Sequence, residues 1–386
     1  MRVVILYNTS WYVYLLRRNL ISTLQDAGCE VIVVAPRDKY TERLIDLGVR
    51  HVSIPLEPGS ANPFTELRTF RAVARTLKLL RPHAVLSYTI KCNLYAGLCK
   101  RFTRFVQIAN ISGLGIAFDR PGLMRAMATS LYKLALKPTD HIFFQNHDDL
   151  TSCVQANLVD RERSRVIPGS GVDLSAFIPT PHSARRPRTF LMFGRLLPQK
   201  GFDLYLSVAR RLQAEFGEGV ACWVLGAPDQ ARSESIELYE RIQRAHARGE
   251  ICYLQSADDV RPILNECDVA VLPSTYNEGI PRSLLEAMAC GKAIITTDWK
   301  GCRETVQDGS NGRLIPPRDE ESLYKSMRYM VTCSESELAS FGHESRKRSE
   351  DLFDEKIVLK AYLNALSLPL PQTSVPCDMQ PTGTHA

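Results

Sequence analysis

Two short segments of the chain combine residue types that could do chemistry. In Phe193-Gly-Arg-Leu-Leu-Pro-Gln-Lys-Gly201 a strand ends at Gly194, a loop carries Arg195 and Lys200, and Gly201 opens a helix. Two cations beside the free amides of a helix N-terminus make an anion site, because side-chain charge, amide donors and helix dipole add. On its own the pair reads equally as solvated surface charge. The second segment is Pro273-Ser-Thr-Tyr-Asn-Glu-Gly-Ile-Pro-Arg-Ser-Leu-Leu-Glu-Ala-Met-Ala-Cys-Gly291, where Glu278 precedes a helix that starts near Pro281 and Glu286 lies on it. A ligand phosphate could rest on the amides near Ile280 and Ser283, with each carboxylate reaching a different part of the same ligand. Glu286 could be an ordinary solvated helix residue. Its apolar company, Leu284-Leu285 and Ala287-Met288-Ala289, argues instead that it is enclosed, and a buried carboxylate needs partners.

Positioning these segments takes a large scaffold. The 386 residues predict two domains at about 150 residues each. Short β-branched runs alternate with helical-period segments from the start: strands over Val3–Tyr7, Glu30–Ala35, Val49–Ile54, Ala84–Tyr88, Phe105–Asn110 and His141–Gln145, with amphipathic stretches Tyr12–Ala27, Phe64–Leu80 and Leu123–Leu136 between them. Repeated βα units predict an α/β fold with a parallel sheet. Periodicity lapses in the Pro-rich stretch after Ile178. A second series then begins, with strands Thr189–Phe193, Val220–Leu225, Ile251–Leu254, Val269–Leu272 and Ala293–Thr296, and helices near Phe202–Phe216, Ser235–Ala247, Arg282–Cys290 and Glu320–Thr332. The expected organisation is an N-terminal Rossmann-like domain over 1–178, a linker over 179–187, a second Rossmann-like domain over 188–350, a C-terminal helix over 351–366 and a disordered tail over 367–386.

Composition narrows the class further. With 45% hydrophobic and 23% charged residues the chain has ample material for a core. Residues 1–187 carry 25 Lys and Arg against 14 Asp and Glu, while the remainder carries 23 against 28. A basic half facing an acidic one predicts an anionic partner for the first domain: phosphate ligand, nucleic acid or anionic lipid. Nucleic acid is disfavoured, since the cations are not interleaved with stacking aromatics. The 11 cysteines show no C-x-x-C pair, so neither a disulfide framework nor a zinc cluster is expected, which fits a reducing cytoplasm. No run of 18 apolar residues occurs, and Val3 to Leu16, broken by Asn8-Thr9-Ser10, reads as a buried strand and helix start rather than a leader. No Asp-x-Asp is present, so no metal ion is expected.

The two segments, in this order and spacing, resemble the family-4 retaining glycosyltransferases of the GT-B architecture, two Rossmann-like domains facing across a cleft. The likeness runs through Val166-Ile-Pro-Gly-Ser-Gly-Val-Asp173, Gly194-Arg195 with Lys200-Gly201, the Glu278/Glu286 pair, and Gly301-Cys-Arg-Glu-Thr-Val-Gln-Asp-Gly-Ser-Asn-Gly312. Asn110-Ile-Ser-Gly113-Leu114-Gly115 and Gly301-Cys-Arg-Glu304 are similar to the subgroup that builds bacterial lipid-linked glycans, including diacetylbacillosaminyl-type transferases. The chain departs from the family in the loop Asn8 to Arg18, where many members have a Gly-Gly pair, and at Gln255, where a glycine is common before the base-binding stretch.

The resemblance implies that Arg195 and Lys200 grip the donor diphosphate beside Gly194. Glu286 would hydrogen-bond the ribose, and Glu278 would touch the transferred sugar. Gly279, Ile280, Ser283 and Leu284 would bring backbone amides or close packing to diphosphate and sugar. Arg17, Gly113, Leu114 and Gly115 fall on the acceptor side. Implied substrates are a nucleotide sugar, a UDP-hexosamine or related donor, and a lipid-linked or glycan acceptor, with no cofactor. A GT-B epimerase or a non-catalytic nucleotide-sugar-binding protein is the alternative. A dehydrogenase is disfavoured, since no G-x-G-x-x-G follows the first strand. On Phe64 to Arg81 the cations Arg68, Arg71, Arg75 and Lys78 share one quadrant beside an apolar face of Phe70, Val73, Ala74, Leu77 and Leu80. With Arg17-Arg18 and Lys100-Arg101 this stripe predicts peripheral docking on the inner face of an anionic membrane.

Overall fold

The computed structural model describes residues 1–57, 59, 62–114, 123–180, 187–277 and 279–369. Strands β1 (Arg2–Leu6), β2 (Glu30–Ala35), β3 (Arg50–Ser53), β4 (Ala84–Tyr88), β5 (Val106–Ile111), β6 (His141–Phe144) and β7 (Ser164–Val166) form one sheet in the order β3-β2-β1-β4-β5-β6-β7. Strands β8 (Arg188–Phe193), β9 (Val220–Leu225), β10 (Cys252–Tyr253), β11 (Val269–Leu272), β12 (Ala293–Thr297) and β13 (Gly312–Ile315) form a second, in the order β10-β9-β8-β11-β12-β13. The named strands pair in parallel throughout. Val3–Leu6, Ala84–Tyr88 and Val269–Leu272 are buried along their whole length, as strands covered by helices on both faces must be. Each sheet is thus doubly wound and reverses its winding once: between β1 and β4 in the first, between β8 and β11 in the second. Ligands of such sheets bind outside the carboxyl ends of the strands at that reversal.

The apparent leader sequence is β1 followed by the helix Ser10–Asp26, capped by the Thr9 hydroxyl, which accepts from the Tyr12 amide at 3.2 Å. Two edge strands, β7 (SRV) and β13 (GRLI), escaped the sequence reading because each is short and interrupted by an arginine, so no apolar run marks it. The helix Thr89–Cys99 escaped it for another reason. It packs between β4, β5 and the helix Leu123–Leu136 and is mostly apolar, with Lys91 and Asn93 too few to mark a polar stripe. The helix Glu335–Leu352 is polar almost throughout, but Ser334 and Glu337 close a capping box at its start.

Separate cores serve the two sheets, and the chain end returns to the first. Leu338 and Phe341 pack in the second core, whereas Val358, Tyr362 and Leu363 of the following helix Glu355–Ala365 pack with Val3, Ile5 and Tyr88 of the first. Tyr362 hydrogen-bonds Tyr88 Oη at 2.9 Å and donates to Asn110 Oδ1. The carboxyl edges of the sheets meet. The Gly279 amide, beyond β11, donates to the Ser112 carbonyl, beyond β5, at 2.9 Å, and Tyr40 Oη reaches Asp258 Oδ1 at 3.2 Å.

Gly201 fixes the loop after β8. Its φ of +87° lies in the left-handed region, and a Cβ there would sit 2.2 Å from the Pro273 carbonyl oxygen at the end of β11. Gly201→Ala therefore strains the backbone and pushes apart the two strand ends that meet at the β8/β11 reversal. We expect it to lower folding stability by about 1–3 kcal/mol, read as a shift of the denaturant midpoint at unchanged slope.

Candidate active site

At the β8/β11 reversal the structure brings together most of the residues singled out on the donor side. The Gly194 amide donates to the Leu225 carbonyl at 3.0 Å, closing β8. Lys200, only 6% exposed, ends a 3-10 turn over Pro198–Lys200, and its Nζ lies 3.7 Å from where a Gly194 Cβ would be. Glycine at 194 leaves room for that ammonium. The Thr275 amide donates to the Gln199 carbonyl at 2.8 Å, so the cationic loop and the segment after β11 hold each other. Glu278 lies outside the described residues, as does Gly115.

The helix Arg282–Ala289 starts at the extended residue Pro281. Two amides assigned to a ligand are engaged within the chain: that of Leu284 donates to the Pro281 carbonyl at 3.1 Å, and that of Gly279 to Ser112. Those of Ile280 and Ser283 have no such bond among the described residues. Gly279 instead allows close packing, since a Cβ would meet Gln145 Oε1 of the first domain at 2.2 Å. Ile280, buried, packs on Gly169, and Leu284 is part of the second core. On the acceptor side Gly113, at φ +116°, and the buried Leu114 follow Ser112 directly, so they stand next to the Gly279 contact.

Glu286 is enclosed, as its apolar neighbours argued, with 14% of its side-chain surface exposed. Its Oε1 is not reserved for a ligand: Arg282 Nε pairs with it at 2.7 Å, one helical turn away. Arg282 also reaches Ser170 Oγ at 3.2 Å, bridging to the first domain's last loop. Burial raises the Glu286 carboxyl above its ordinary value, Arg282 opposes the rise, and Asp259 adds to it.

Sequence reasoning missed Arg282, Gln145 and a bridge farther along the cleft. Asp149, 1% exposed, lies 3.6 Å from Lys300 Nζ of the second domain, and Glu304 Oε1 accepts from the His147 amide at 2.9 Å. The i, i+4 spacing of Arg282 and Glu286 was readable as a helix pair. Nothing in sequence could have matched Asp149 to Lys300, 151 positions apart.

Arg17 overturns part of the charge reading. It is 3% exposed, its guanidinium 4.4 Å from the Tyr88 ring centroid, so it adds nothing to a surface stripe. Lys100 is likewise withdrawn, paired with Asp140. Arg68, Arg71, Arg75 and Lys78 are all exposed, and Val73, Leu77 and Leu80 are buried beneath them. Among the described residues no three His, Cys, Asp or Glu side chains converge as a metal site, and no helix is long and apolar enough to cross a membrane.

Comparison with known proteins agrees with this fold. Residues 2–146 match the model of the glycosyl transferase 4-like family, and residues 177–348 that of the glycosyl transferases group 1. The chain is similar to the N,N'-diacetylbacillosaminyl-diphospho-undecaprenol alpha-1,3-N-acetylgalactosaminyltransferase of Campylobacter jejuni, 28% identical with 94% of this chain and 97% of that protein covered. It is also similar to the UDP-Gal:alpha-D-GlcNAc-diphosphoundecaprenol alpha-1,3-galactosyltransferase of Escherichia coli, at 22% identity over 80% and 84% of the two chains. The fold matches Anabaena HepE in complex with UDP and glucose at a TM-score of 0.78, with 17% identity, covering 95% of this chain and 99% of that one.

The Arg282–Glu286 pair yields a stability test. Arg282→Ala leaves a largely buried carboxylate without its cation, at a cost of about 1–3 kcal/mol. A carboxyl raised in the folded state binds its proton more tightly there than in the unfolded chain, so stability from this source falls as pH rises through the folded value. Thermal unfolding should therefore show the largest loss for Arg282→Ala near neutral pH and a smaller one toward about pH 5. Adding Glu286→Gln should remove that pH dependence.

Proposed function

The chain belongs to the glycosyltransferases that those two models describe, and on that premise we propose that it moves a hexosamine-type sugar, with retention at the anomeric carbon, from UDP to a lipid-linked diphosphate acceptor. The observation that carries this reading is the joining, at the β8/β11 reversal, of the loop that bears Arg195 and Lys200 to the segment after β11, through the Thr275 amide on the Gln199 carbonyl, while Gly279 of that segment bonds the first domain's loop at Ser112. Arg195 and Lys200 take the charge that develops on the leaving diphosphate, and Glu286 Oε2, beside the oxygen held by Arg282, receives a ribose hydroxyl. Glu278 is assigned to the transferred sugar. In the transfer the bond from the anomeric carbon to the diphosphate oxygen breaks and one to the acceptor hydroxyl oxygen forms on the same face. The hydroxyl proton passes to the departing phosphate. The protein supplies position and charge. No metal ion is part of this proposal. The lipid acceptor is supported by the two undecaprenol-linked relatives, whose lengths the chain nearly spans.

Calorimetric titration of UDP tests the donor assignment. Arg195→Ala and Lys200→Ala each remove charge-assisted hydrogen bonds of about 1.5–3 kcal/mol, so affinity should fall by one to two decades in excess chelator as in its absence. Unchanged affinity overturns the assignment.

Docking at the membrane surface is the second part of the proposal. Beside Arg68, Arg71, Arg75 and Lys78 large apolar side chains are exposed: Phe64 at 84% near the start of the same helix, Leu79 at 83% near its end, and Phe102 at 79%. Cations flanked by apolar anchors suit an anionic headgroup layer over acyl chains. The cytoplasmic leaflet supplies such a surface. Co-sedimentation should show binding to anionic vesicles that weakens as salt screens it, and none to zwitterionic ones. Equal partitioning to both overturns this part.

A further inference from the structure

The reversal of winding in the first sheet, between β1 and β4, is the counterpart of the donor crevice in the second, and the sugar and nucleotide assigned above leave it unused. Its lining is unusual. Tyr7, just past β1, stacks on Tyr88, the last residue of β4, with ring centroids 5.0 Å apart. Thr89, the next residue, holds a left-handed φ of +69°, costly for a β-branched side chain and a feature of ligand-binding turns. Over the Tyr88 ring lies Arg17.

Among the described residues no carboxylate lies within ion-pair distance of Arg17, and its buried Nε has no hydrogen-bond partner. Asn8 Oδ1, two residues past the end of β1, is also buried and without a partner among the described residues. The ionisable groups around the guanidinium are the hydroxyls of Tyr7, Tyr88 and Tyr362, and burial raises all three above the ordinary phenol value. None is an anion near neutrality. A guanidinium cannot shed its charge, so a buried one needs a counter-charge, and none lies beside it among the described residues.

We propose that Arg17 binds a phosphate of the acceptor, gripping the diphosphate of a lipid-linked glycan at the β1/β4 reversal; this rests on the acceptor class proposed above. The planar fork of arginine matches two phosphate oxygens at once, and Tyr88 stacked against its face holds that fork in place. The acceptor sugar then extends from the diphosphate toward the Ser112–Leu114 loop, which already touches the donor segment at Gly279.

The test is calorimetric titration of farnesyl diphosphate, and of uncharged farnesol, into the full chain saturated with UDP, so that the Arg195–Lys200 crevice is filled. Wild type should bind the diphosphate more tightly than the alcohol. Arg17→Met should weaken the diphosphate at least about tenfold, roughly 1.4 kcal/mol, while affinity for UDP is unchanged. Because Met replaces an unpaired buried cation, this variant should unfold at the same temperature as wild type or higher. Arg17→Lys keeps the charge but not the fork and should show a smaller loss, which carries the comparison if Arg17→Met does not fold. Unchanged diphosphate affinity in both variants overturns the proposal and makes Arg17 a structural cation. Loss of UDP affinity in step with it moves the bound phosphate to the donor. If wild type binds farnesyl diphosphate no better than farnesol, the lipid-diphosphate reading fails, and with it this inference.

Discussion

Two parallel sheets set carboxyl edge to carboxyl edge impose most of what else is seen. In a doubly wound sheet the loops that can hold a ligand leave the strand ends on one side only, and they spread apart where the winding reverses. Here both reversals open into the same cleft, the second sheet bringing Gly194 to Lys200 and the segment after Pro273, the first bringing Tyr7, Asn8 and Tyr88. The contacts between the domains come from just beyond those strand ends: Ser112 and Gln145 against Gly279, Tyr40 against Asp258, Asp149 against Lys300. A crevice built this way has loops of the two sheets within one hydrogen bond of each other. Transfer chemistry that relies on positioning needs that proximity.

Charge burial along the cleft follows one logic with three outcomes. Asp149 is matched across the domains by Lys300, and Glu286 by Arg282 on its own helix. Each pair offsets a desolvation cost that either partner alone would leave standing. Arg17 departs from that rule. Its environment is aromatic, and stacking on Tyr88 offsets only part of the cost of removing a guanidinium from water. Stability lost at such a position is common where a site awaits a charged ligand.

The return of the C-terminal helix ties these features together. By placing Tyr362 between Tyr88 and Asn110 it closes the first core directly under the β1/β4 reversal. Asn19, on the same helix as Arg17, donates to Asp173 at 3.1 Å and also contacts Glu355, where the returning chain begins. The far end of the sequence thus braces the helix that carries Arg17.

Sequence alone determined the parts governed by local physics. β-branched runs and helical periods located Glu30–Ala35, Ala84–Tyr88, Val220–Leu225 and Val269–Leu272 at the residues observed, because a strand buried on both faces must be apolar throughout. The turn that carries Arg195 and Lys200 between β8 and the next helix and the enclosure of Glu286 were legible for the same reason: each depends on neighbours within a few positions. Periodicity could not show the helix Thr89–Cys99, mostly apolar and without a clear polar stripe, nor the short edge strands β7 and β13, each broken by an arginine. Only the tertiary structure decided which charges are surface and which are not. Arg17 and Arg18 are adjacent in sequence and alike in type, yet one turns under Tyr88 and the other to solvent. That distinction, like the pairing of Asp149 with Lys300 and the return of Tyr362 to Tyr88, rests on contacts between residues remote in the chain, which no local pattern encodes.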